Sequence, residues 1–378
     1  MKDFFLTLIL IIIILLIIFG IFILGSNLYN DLNVGDVASS VQNSIEDILS
    51  YEPRQNDYQN ENQISTNLNV LESIQSSDKI EDKNITYINQ ESNNNYFYNQ
   101  LEDTSKTIYN GLKSNIENMK TGTYKVEFAN TFSSILSKEN GQKILGDYYQ
   151  SAVEAFMYDN PKVFYLNVNK MYLNVESTKY VNRTTYNVYI SAGNEKSYLA
   201  DGFSSKEQIN ACEKQIYNVR NQVISGLSGT NYDKVKKIHD YLVDNISYDT
   251  TVSKNNIYNM YGALVNKECV CEGYSKAFKY LLDEAGIQNV IVIGKGTNSE
   301  GKSENHSWNY VLLNNNWYAV DVTWDDPVIR GGGRLSNSSK YKYFLKGLNT
   351  IGKDHTPNGQ FTTGGKVFKY PDLSSRDY

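Results

Sequence analysis

Hydrophobic and polar positions divide the chain before any residue chemistry is considered. Residues 4–24 read FFLTLILIIIILLIIFGIFIL, in which Thr7 is the only polar side chain. As a helix this run covers about 31 Å, close to the hydrocarbon thickness of a bilayer. It exceeds the roughly 7 to 15 apolar residues of a cleaved signal peptide, and the exit LGSNLY makes a poor cleavage site. The expectation is an uncleaved transmembrane signal-anchor over 4–24, after a short cytoplasmic end at 1–3. Lys2 lies on the short side, whereas 25–53 carries Asp31, Asp36, Glu46, Asp47 and Glu52 but no Lys or Arg. The positive-inside bias then puts the bulk of the chain outside the cell membrane, a single-pass extracytoplasmic arrangement.

Beyond the apolar run the pattern changes twice. From Arg54 to Gln100, 17 of 47 residues are Asn or Gln, too little apolar surface to offset the entropy of ordering. Residues 25–100 therefore read as a polar, low-complexity stalk. Helical spacing returns with Leu101, Ile108, Leu112, Ile116 and Met119, and again over about 142–157, closed by Asn160-Pro161. KVFYLNV, MYLNVES and TYNVYIS read as strands, giving a small α+β region at 101–200. Within 201–378, Ser204 and Glu207 suggest a capping box for a helix carrying Cys212. A helix follows over about 233–245, and another begins at Cys271, where Tyr274, Ala277, Phe278, Leu281, Leu282 and Ala285 share a face. QNVIVIG (288–294) reads as a buried strand, and HSWNYVLLNNNWYAVDVTWDDP (306–327) as a hairpin. If Asn314-Asn315 is a two-residue turn, Leu313 opposes Asn316 and Trp308 opposes Asp321. His306 and Asp321 are then diagonal neighbours on one face, within side-chain reach.

Composition narrows the function. A net charge of −6 over 378 residues argues against a nucleic-acid partner, since phosphate binding needs a basic surface. Three cysteines make no disulfide framework, and with one nearby histidine they make no convincing zinc set. Cys212 sits at core spacing. Cys271 is the candidate nucleophile, because a helix N-terminus favours a thiolate and its free N–H groups suit an oxyanion. Cys269 lies before the helix and lacks that field. His306 is the candidate base and Asp321 the group orienting it. Gly273 would allow close substrate approach, with Tyr274, Trp308 and Trp324 supporting the site and excluding water. His239 reads as a satisfied core histidine and His355, in KDHTP, as a loop brace. Asp325 and Asp326 read as a turn, with calcium as an alternative. Gly331 to Gly333 suit a lid or a plain loop.

IHDYLVDNISYD, ALVNKECVCEGYSKAF, HSWNYVLLNNNWYAVDVTWDDP and YFLKGLNTIGKDH stand in the order found in the transglutaminase-like superfamily, a branch of the papain-like cysteine enzymes, which the chain resembles over roughly 233–355. The resemblance implies an α+β, papain-like core with the nucleophile helix packed on an antiparallel sheet. It also implies Cys271, His306 and Asp321 as the catalytic triad, and a transition-state donor upstream of the cysteine, for which Tyr248 and Tyr261 are the candidates. The expected chemistry is a thioester on Cys271, resolved by an amine in cross-linking or by water in amidase or protease action, with no cofactor and no metal. The expected partner is a protein or peptide substrate, including cell-wall peptide. The alternative is a catalytically silent module that binds cell-surface proteins or wall peptides.

Overall fold

The computed structural model describes residues 95–193, 195–326, 336–357 and 365–378. The expected anchor at 4–24, the stalk up to residue 94 and the glycine run at 331–333 lie outside the described residues. Among the described residues no helix is long and apolar enough to cross a membrane.

Ordered packing starts before Leu101, where the sequence pattern ends the stalk. Phe97 is fully buried, edge-on to Phe368 at 5.3 Å, and the N–H groups of Phe97 and Tyr98 donate to the buried Asp159 carboxylate. The expected first helix is split. Helix α1 (Asp103–Ser114) stops at Asn115, whose side chain donates to the Gly111 carbonyl, and a short turn of helix, Ile116–Met119, follows. Helix α2 (Gly141–Asp159) buries most of its length against α1. Strands β1 (Val126–Ala129), β2 (Tyr172–Lys179) and β3 (Thr184–Ser191) form an antiparallel sheet in the order β1-β3-β2.

KVFYLNV is not a strand. Val163, Phe164, Tyr165 and Leu166 are all buried in consecutive turns, with one isolated bridge from Leu166 to Leu199. A continuous apolar run carries no period, so its sequence cannot distinguish a strand from other buried backbone.

Helix α3 (Lys206–Ser225) is capped one residue later than expected. The Ser205 hydroxyl accepts from Gln208 N–H, and the Gln208 side chain accepts from Ser204 N–H. Helix α4 (Asn231–Asn245) opens with a capping box between Thr230 and Asp233. Two short parallel strands, β4 (Ser247–Tyr248) and β5 (Glu268–Cys269), lead into helix α5 (Cys271–Glu284).

The second sheet is antiparallel and ordered β8-β7-β6-β9, from β6 (Asn289–Thr297), β7 (Ser303–Leu313), β8 (Asn316–Val320) and β9 (His355–Pro357). Helix α5 packs on β6 and β7 and is backed by α3 and α4. This is the expected α+β core, with the helix that starts at Cys271 packed on an antiparallel sheet. The β7–β8 register is also as expected. Asn314 and Asn315 both have positive φ, 50° and 62°, as a type I′ turn requires, and Leu313 faces Asn316.

Candidate active site

Cys271 is the first residue of α5, preceded by an extended Val270. A five-residue π-helical stretch, Gly262–Asn266, and a left-handed Lys267 come just before β5, an irregular backbone of a kind often found at functional sites. The Gly273 and Tyr274 N–H groups return to the Val270 carbonyl. The N–H groups of Cys271 and Glu272 meet no acceptor among the described residues, so the start of the helix offers two aligned donors beside the sulfur. Helix and sheet are pinned together here: Ser275 and Ser307 hydroxyls meet at 2.6 Å, and Asn309 donates to the Ser275 carbonyl at 3.1 Å.

The hairpin delivers the second and third groups. Asn309 pairs with Val320, so Asp321 falls opposite Trp308, two residues from His306. His306 Nε2 and Asp321 Oδ2 are 2.6 Å apart, both buried. Cys271 neighbours the same imidazole, close enough to help raise it. With Nε2 taken by Asp321, Nδ1 is the ring nitrogen left for the thiol. Burial alone would push the imidazole down. The Asp321 charge and hydrogen bond, joined by the contact with Cys271, outweigh it and hold His306 up at about 10. Burial would raise Asp321, but the charges and N–H groups of His306 and His355 hold it well below the usual carboxylate range.

His355 is the residue that sequence reasoning missed. It is a buried part of this cluster, not a loop brace: Nε2 lies 2.9 Å from Asp321 Oδ2 and Nδ1 lies 2.7 Å from Asp354 Oδ1. The sheet explains its arrival. Strand β6 pairs Gly294 with His306 on one side and Gly296 with His355 on the other. Positions two apart share a face, and a Cβ on Gly296 would sit 2.7 Å from Trp324 and 3.2 Å from His306. Three residues containing a proline carry almost no strand signal, so nothing local marks β9. The tie from YFLKGLNTIGKDH to the superfamily was the one usable hint.

The supporting residues divide. Trp308 and Trp324 do flank the imidazole, with ring centroids 5.9 and 5.2 Å from His306. Gly273 is needed for packing rather than substrate approach, since a Cβ there would meet Cys269 Cβ at 2.5 Å and the Ile257 carbonyl at 2.7 Å. Tyr274 is buried and donates to Asp326 at 2.6 Å, so it anchors α5 instead of lining the site. Cys269 is fully buried, and burial pushes its thiol well up. Tyr248 neighbours Cys271; burial, then the charges of Cys271 and Glu304, raise its phenol. Tyr261 lies elsewhere, stacked on Phe164 and bonded to Gln215.

His239 is the core histidine expected, held between Asp240 and Asp325. Asp325 also accepts from Tyr343 N–H. Both acids of the Asp325-Asp326 turn are therefore engaged internally. Among the described residues, His306, Asp321 and His355 form a group with metal-ligand spacing. They already touch at hydrogen-bond lengths, however, and an ion with bonds of about 2.0 to 2.2 Å would have to push them apart.

A family model described as the transglutaminase-like superfamily matches residues 219–322. The match takes in Cys271, His306 and Asp321 and stops before His355. Residues 219–322 belong to the transglutaminase-like superfamily. This transglutaminase-like domain is similar to kyphoscoliosis peptidase of Mus musculus, 24% identical over 160 residues, which are 37% of this chain and 23% of that protein. The Homo sapiens protein of the same name is 26% identical over 149 residues, 35% and 22% of the two chains. The chain thus spans under a quarter of the length of these curated relatives. A solved structure titled as that of a TGase is 16% identical, with a TM-score of 0.29 over 47% of this chain and 50% of the other.

Proposed function

We propose that the chain is a cysteine acyl-transfer enzyme in which Cys271 is the nucleophile, His306 the general base and acid, and Asp321 the group that orients and charges the imidazole. What supports this most is that His306 is held by Asp321 through Nε2 at 2.6 Å, with Cys271 beside the same imidazole. An ionised carboxylate only accepts, so Nε2 carries a proton; Nδ1 takes the one from sulfur, and with the imidazole held up at about 10 that transfer leaves a thiolate–imidazolium pair. The thiolate attacks the carbonyl carbon of a carboxamide or peptide. The oxyanion forms against the N–H groups of Cys271 and Glu272, with the Tyr248 phenol, kept protonated, as the side-chain donor nearby. His306 returns its proton to the departing nitrogen and leaves a thioester on Cys271. An amine or water then attacks, again deprotonated by His306, and free Cys271 is restored.

The substrate is a protein or peptide, with cell-wall peptide included, and the chain is membrane-anchored through residues 4–24 with its catalytic domain extracytoplasmic. The test is the rate at which iodoacetamide alkylates each cysteine of the full-length chain against pH, assigned by peptide mass spectrometry, in wild type and His306→Ala. Cys271 should react fast well below pH 8 and slow in the mutant. An ordinary thiol profile in both would sink the reading and favour the silent binding module. Amine incorporation into a glutamine peptide, set against ammonia release without amine, then separates transfer from hydrolysis.

A further inference from the structure

We infer that His355 is a positioning residue, a second N–H donor that holds Asp321 in place for His306; this rests on the reading of Cys271 and His306 above. Asp321 is completely buried, and a buried carboxylate needs its lone pairs met. Its Oδ1 takes Trp324 N–H at 3.1 Å. Its Oδ2 takes two imidazoles at once, from His306 at 2.6 Å and His355 at 2.9 Å.

Proton counting fixes the second imidazole. Asp321 is ionised, so His355 Nε2 must carry the hydrogen between them. The Nδ1 to Asp354 Oδ1 contact at 2.7 Å needs a proton on one side or the other, since two lone pairs would repel at that distance. Either way His355 keeps Nε2–H aimed at Asp321. Asp354 is itself held by the Tyr343 hydroxyl at 2.8 Å. The ionisable groups facing His355 are thus Asp321, Asp354, His306 and Tyr343, with Asp325 bonded behind Tyr343. Indole rings of Trp308 and Trp324 close the remaining sides at 5.0 and 4.5 Å. Without this donor the Asp321 carboxylate gains freedom to turn off His306, and the imidazole loses the partner that makes it a base for Cys271.

Two substitutions separate donation from packing. His355→Phe keeps an aromatic ring and removes both ring nitrogens, whereas His355→Gln keeps an N–H near the Nε2 position. In the full-length chain, His355→Phe should lower the Cys271 alkylation rate at pH 6 by about tenfold or more, the factor set by one charge-assisted hydrogen bond, and move the acid midpoint upward. His355→Gln should recover most of the rate. A Phe variant that matches wild type overturns the inference, as do Phe and Gln variants slowed equally, which would mean packing alone. If His355→Phe does not fold, Asp354→Ala decides on the more exposed side, where an unmoved midpoint overturns the inference. A wild-type Cys271 that is indifferent to His306→Ala is a different failure: the site reading falls and takes this inference with it.

Discussion

Replacing Asp321 by Asn keeps its shape and removes its charge. The amide can present N–H to His306 Nε2 and force the other tautomer, with Nδ1–H facing the sulfur. Acyl transfer should fall roughly 10³- to 10⁴-fold, as for the corresponding change in a serine triad, and the thermal midpoint should fall with it, because the buried His306 and His355 lose their charged partner; an activity loss under tenfold would remove Asp321 from the mechanism. His306 also couples stability to pH. Its folded value, about 10, lies above its ordinary 6.5, so the protonated imidazole stabilises the fold fully below pH 6.5 and progressively less as pH rises towards 10. Urea unfolding of wild type should show that alkaline decline, and His306→Gln should flatten it. The meeting of Cys271, His306 and Asp321 was legible because a helix start and a two-residue turn are local signals. His355 was not, because it is brought in across β6 by a pairing between distant segments. Gly273 and Tyr274 show a different limit: proximity to Cys271 in sequence placed them in the site, whereas Gly273 packs against Cys269 and the Ile257 carbonyl and the Tyr274 side chain is buried on Asp326.

Among the elements, the register of β7 and β8 decides whether the site exists. Its turn puts Asn315 at a φ of 62°, which a β-branched residue resists. Asn315→Val should cost about 1 to 2 kcal/mol by urea unfolding, and Asn315→Gly should not. Equal effects would mean that the turn does not set the register. The start of α5 is equally constrained. Gly273→Ala drives a methyl into Cys269 and the Ile257 carbonyl, so it should cost about 1 to 3 kcal/mol as overpacking and slow Cys271 alkylation with it. A stable, fully reactive Gly273→Ala protein would show that the helix end can shift without consequence. The hairpin was readable because alternation and turn chemistry agree. KVFYLNV was misread because it is buried on all sides and carries no period.

At the scale of the molecule, the segments before and after residue 200 share one hydrophobic cluster, running from Phe97 to Phe368. Glu284, at the end of α5, binds both Lys162 at 2.9 Å and Arg220 of α3 at 2.7 Å. Glu284→Gln should therefore lower unfolding stability by about 1 to 3 kcal/mol, since it leaves two partly buried cations short of a partner. No loss would make the pairing incidental. Such contacts were not legible, because the apolar pattern marked 101–200 as folded without saying which of its faces meets α5. One last consequence comes from the two indoles beside His306. The sequence holds three tryptophans, and Trp308 and Trp324 both flank this imidazole. Imidazolium quenches indole emission and neutral imidazole does so far less. The protein therefore carries its own optical reporter: its intrinsic fluorescence should brighten as His306 loses its proton, so the state of the site can be followed in unlabelled protein before any substrate is known.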